Sequence, residues 1–163
     1  MREAAGPVSA LILEFDRLTP VHGPDPWSAD AIREIAGGGL PWTLRSGSGS
    51  LSRDGHLQVR VRGLVLASHP SVPDSMRGTN PFPAFRAVVS YLRADQDGEL
   101  AIANVSTGDF QASSSGDADI DARMSLPQSC VAPILLLTGP GGTEGWIAVT
   151  ANWSYPSADG TGQ

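Results

Sequence analysis

The chain contains no lysine; its 11 basic residues are all arginines. A Walker-type phosphate loop needs a lysine to reach the phosphates, so that chemistry is excluded. The arginines are scattered rather than clustered. This fits a GC-rich codon bias, in keeping with the abundant Ala, Gly and Pro, better than arginine-specific recognition. One cysteine, Cys130, rules out an intrachain disulfide and a Cys-based zinc site. Charge is scarce at 17%, and the net charge of −6 argues against sequence-independent nucleic-acid binding. No apolar run approaches the ~20 residues of a membrane span. The apolar run near the N-terminus is short, is interrupted by Glu14 and Asp16, and lacks a cleavage signal. These absences predict a soluble, cytoplasmic chain without a membrane span or nucleic-acid partner, secretion staying open only where a leader has been removed.

What is present is the composition of a loop-rich globular protein. Hydrophobic residues make up 40% of 163, with 19 Gly and 13 Pro. That length suits one domain with its own core, expected over residues 1–151, followed by a polar, flexible tail at 152–163. Residues 8–15 form an apolar run of strand length, and 42–53 a Ser/Gly-rich weak strand. Asp54-Gly55 has hairpin-turn chemistry. After it, Leu57, Val59, Val61 and Val65 alternate with Gln58, Arg60 and Arg62, as in a half-buried strand.

Residues 85–92 alternate too, but both faces carry apolar side chains, which predicts a strand flanked on both sides. Asp97-Gly98 turns into a strand at 100–107. Ala118, Ile120, Ala122, Met124 and Leu126 alternate with Asp117, Asp119, Asp121, Arg123 and Ser125. Residues 131–138 read as a buried strand joined by Gly139-Pro-Gly-Gly-Thr-Glu-Gly145 to a last strand at 146–151. Residues 28–36 alone look helical, with Ser28 as N-cap and Gly37 as stop, although Ile32 and Ile35 fit an edge strand equally. Seven to nine short strands predict an all-β fold: an antiparallel β-sandwich, Ig-like or jelly-roll-like, with a flattened β-barrel as the alternative.

Catalytic signatures are missing. His22, His56 and His69 are far apart and read as surface histidines rather than metal ligands. There is no Gly-x-Ser-x-Gly elbow, and Cys130 reads as a small hydrophobe rather than a nucleophile. The glycine-rich loop at 139–145 has the wrong spacing for a dinucleotide fingerprint and precedes a strand. No cofactor is expected. Asp117, Asp119 and Asp121 share a strand face, which makes them a weak Ca²⁺ candidate; a solvated face, its charge offset by Arg60 and Arg62, is the simpler reading. Trp27, Trp42 and Phe82 on loops are candidate contact residues, either plugging the core or lining a ligand mouth. In Arg77-Gly-Thr-Asn-Pro-Phe-Pro-Ala-Phe-Arg86 the prolines restrict Asn80 and Phe82 to extended geometry. Arg77, Asn80, Phe82 and Arg86 therefore complete the candidate contact set.

The motifs Gly38-Gly-Leu-Pro-Trp42, Val61-Arg-Gly-Leu-Val-Leu66, Asn80-Pro81 with Phe85-Arg86-Ala87, Asn104-Val105, Gly116-Asp-Ala-Asp-Ile120 and Leu126-Pro…Cys130-Val-Ala-Pro133 occur in this order. In that order the chain resembles a group of uncharacterised single-domain bacterial proteins, over residues 32–150. The resemblance implies no activity, and the group's second cysteine, near Tyr91, is absent here. The expected function is a non-catalytic β-sandwich that binds a protein partner or self-assembles. The alternative is a small-molecule-binding β-barrel, or a cyclase or isomerase that shapes an apolar substrate.

Overall fold

The computed structural model describes residues 10–21, 31–127, 130–142 and 145–150. They form β1 (Leu11–Phe15), β2 (Leu18–Pro20), β3 (Trp42–Thr43), β4 (Ser46–Ser52), β5 (His56–Arg62), β6 (Val65–Leu66), β7 (Ala84–Ala94), β8 (Leu100–Gln111), β9 (Ala118–Arg123), β10 (Val131–Thr138) and β11 (Trp146–Thr150). Eight of these have five residues or more; β2, β3 and β6 are fragments of two or three. All pair antiparallel, in a four-stranded sheet β1-β4-β5-β9, a five-stranded sheet β2-β11-β10-β7-β8 and a two-stranded sheet β3-β6. The protein is an all-β, antiparallel sandwich. Among the described residues no sheet closes on itself, so the flattened-barrel alternative is not the architecture built.

The four-stranded sheet follows the period-2 pattern. Leu57, Val59 and Val61 of β5 and Ala118 and Ile120 of β9 are buried, while Gln58, Arg60, Asp119 and Asp121 face out. β4 has poor strand composition, SGSGSLS, yet lies inside the sheet between β1 and β5. Its glycines make space for larger neighbours. A Cβ on Gly49 would lie 2.7 Å from the Phe15 ring, and one on Gly47 2.6 Å from Leu18 Cδ1. Phe15 fills that space from the neighbouring β1 and Leu18 from β2 of the facing sheet.

In the five-stranded sheet, β7 pairs with β10 on one side and β8 on the other. By register Leu18 shares a face with Thr150, Ala148, Leu137 and Ala87. Because Leu18 packs beside Gly47, this face looks at the four-stranded sheet, and one apolar cluster joins the two. Each large aliphatic or aromatic side chain buried there contributes roughly 1.5–3 kcal/mol.

The opposite face, with Val88, Ser90, Leu136 and Val149, is buried as well. A strap of chain crosses it. Within the strap, Ile32 and Ile35 exchange backbone hydrogen bonds of 2.9 Å each way around Arg33 and Glu34, at φ 51° and 71°. This is a tight hairpin turn, which corrects the helical reading of residues 28–36 over its described part. Ser28 itself, like Trp27, His22 and the tail, lies outside the described residues. Arg33 anchors the turn, Nη2 donating to Ala132 O at 2.8 Å, and Asn104 Nδ2 donates to Arg33 O at 3.1 Å.

Candidate functional site

The long loop between β6 and β7 is held by its own polar groups. Asn80 is buried, 5% exposed, and its amide works as a clamp. Its Oδ1 accepts from Phe82 N at 2.9 Å, while Nδ2 donates to Phe82 O at 2.8 Å and Ser113 O at 2.9 Å. The clamp presents the Phe82 ring to Trp42, with centroids 5.4 Å apart and planes tilted by 32°. Trp42 and Phe82, with Leu40, Leu66, Met76 and Ile147, line an apolar cavity of about 260 Å³. Sequence reasoning named both rings, and the fold brings them together across 40 residues of chain.

The two arginines do other work. Arg77 Nη1 meets Asp74 Oδ1 at 2.7 Å, and its Nε donates to Val72 O at 2.9 Å, which ties the loop to itself. Arg86 Nε donates to Asp109 Oδ1 at 2.9 Å. The same Asp109 oxygen accepts from Gly141 N at 2.9 Å, pinning the β10–β11 connection to β8. That N–H first, and Arg86 second, hold the Asp109 carboxyl below the usual aspartate range. Neither arginine lines the cavity. Trp27 lies outside the described residues.

The aspartates of β9 face cross-strand partners. Asp121 Oδ1 lies 2.9 Å from His56 Nε2, and Asp119 Oδ1 lies 3.0 Å from Arg62 Nη1. His56 is the main reason the Asp121 carboxyl sits below its ordinary value. Asp117 Oδ1 instead accepts from Gly63 N at 2.9 Å. Among the described residues no three His, Cys, Asp or Glu side chains gather closely enough to hold a metal ion. His69 Nδ1 bonds within its own turn to Ser71 Oγ, 2.8 Å away. The Cys130 thiol is half-buried, and burial raises its pKa, so it is a poor nucleophile.

The sequence reading did not single out the edge formed by β8. This strand of 12 residues pairs with β7 on one side, and no described residue pairs with the other. Its only charged residue is Asp109, already bound to Arg86. The other sheet edges are blunted in the usual ways. β9 carries Asp119, Asp121 and Arg123, β1 has five residues including Glu14, and β2 has three. Near the β7–β8 turn, register places Val131 opposite Leu92, Leu92 opposite Ile102 and Ala94 opposite Leu100. Leu100 and Val131 of this row are 59% and 44% exposed. The sequence signal was the uncharged run from Leu100 to Gly108. No family model, characterised protein or solved structure matches this chain.

Proposed function

We propose that the protein is a non-catalytic binding or self-assembling module that works through strand addition at β8. The observation that carries this reading is the β8 edge, twelve residues long with one charge and unpaired by any described residue, in a fold whose other described edges are short or charged. An open edge offers a row of N–H and C=O groups; an added strand satisfies them and places alternate side chains against Leu100 and Ile102. Light scattering and particle imaging across a wide concentration range, with a displayed library of extended peptides, test it. Growth beyond the monomer, or capture of peptides that Ile102→Pro abolishes, is the expected outcome. A monomer that captures no peptide refutes the reading.

A second reading rests on the Trp42–Phe82 cavity. At about 260 Å³ it lies just under the range of ~300–1,000 Å³ typical of ligand pockets, so a small apolar ring is the fitting guest. Shifts of the Trp42 and Phe82 ring resonances on titrating indole would support it, and unchanged spectra would dismiss it.

A further inference from the structure

The β8 edge also indicates its own occupant, and this inference rests on the reading just given. Residues 100–106 pair one for one with residues 88–94 of β7. At Thr107 and Gly108 the register slips, and Thr107 Oγ1 takes over the Ala87 N–H at 3.1 Å. Such a bulge ends regular pairing on the free side as well. The usable edge is therefore seven residues, Leu-Ala-Ile-Ala-Asn-Val-Ser, none of them charged.

We propose that this edge binds the same edge of a second copy, antiparallel, about a two-fold axis at Ala103. In that register the whole regular run is used. Leu100 stands opposite the partner copy's Ser106, Ala101 opposite Val105 and Ile102 opposite Asn104, so each side chain keeps its face. The two five-stranded sheets become one of ten strands, with on the order of one new hydrogen bond per paired residue. Charge selects this edge for self-pairing. Each copy carries −6, so two copies repel unless the contact itself is neutral. The same operation on β9, centred on Ile120, would set Asp119 of one copy against Asp121 of the other. On β8 no like charges meet, and the 59% exposed Leu100 gains cover. A two-fold contact of this kind is closed, giving a dimer rather than a fibre.

Single cysteines in the full-length Cys130→Ser chain test the register. Under mild oxidation Ala103→Cys should link to itself on the order of 100-fold more readily than Leu100→Cys does, because pairing raises the local thiol concentration. A mixture of Leu100→Cys and Ser106→Cys chains should also link, which preserves the test if Ala103→Cys fails to fold. Sedimentation of the unmodified chain is run in parallel. A dimer that links at neither place overturns this pairing and leaves a self-assembling module standing. A chain that stays monomeric at every concentration and forms no links overturns the pairing; the binding reading then stands or falls on peptide capture.

Discussion

Arg33 and Glu34 hold left-handed backbone conformations that L-residues with side chains adopt at a cost of roughly 1–2 kcal/mol each. Arg33 recovers this through its bond to Ala132 O, whereas Glu34 is exposed. Glu34→Gly should therefore stabilise the fold by about 0.5–1 kcal/mol, after allowing for glycine's greater freedom when unfolded. Chemical denaturation reads this as a higher midpoint at unchanged slope. Thr150 presents the opposite case, a hydroxyl with no hydrogen-bond partner among the described residues, at a fully buried position on the inner face. Thr150→Val keeps the shape and removes the orphaned group, so stability should rise by about 1 kcal/mol. A drop in melting temperature for either variant would contradict the assignment.

At the scale of elements, β8 is held at its far end by the Asp109 carboxylate between Arg86 and Gly141 N. Folding lowers the Asp109 pKa, so the charged form is favoured in the native state. The resulting stabilisation is complete above the ordinary aspartate value of 3.8 and is lost as pH falls through the lower native value. The wild type should melt above Asp109→Asn near neutral pH, and the gap should close in acid below 3.8. A gap independent of pH would show that the carboxylate charge plays no part. The strands that sequence made legible are those with local signals: β5 and β9 by alternation, β7 by apolar residues on both faces. β4 was harder, because its glycines are explained by Phe15 and Leu18, which are distant in sequence. Residues 28–36 carry helix-like end signals in Ser28 and Gly37 while Ile32 and Ile35 fit a strand equally, so local sequence does not separate a helix from the tight turn that the 32–35 backbone bonds form. Trp42 and Phe82 were visible as candidates, but their contact depends on the Asn80 clamp reaching Ser113. Which strand lies at an open edge is a property of pairing, so β8 could be read as a strand but not as a surface.

For the whole molecule, the central claim is that a neutral edge lets an acidic protein associate. A net charge of −6 makes two copies repel, and the uncharged run at residues 100–106 of β8 adds no like charges to that repulsion. Salt should then strengthen association slightly by screening the remaining repulsion, unlike a contact built on ion pairs. Hydrogen exchange of residues 100–106 as a function of protein concentration tests the claim most directly. The account predicts that their outward-facing amides exchange fast in dilute solution and become protected as concentration rises, while the already paired β7 amides change little. Fast exchange from 100–106 at every concentration would contradict it.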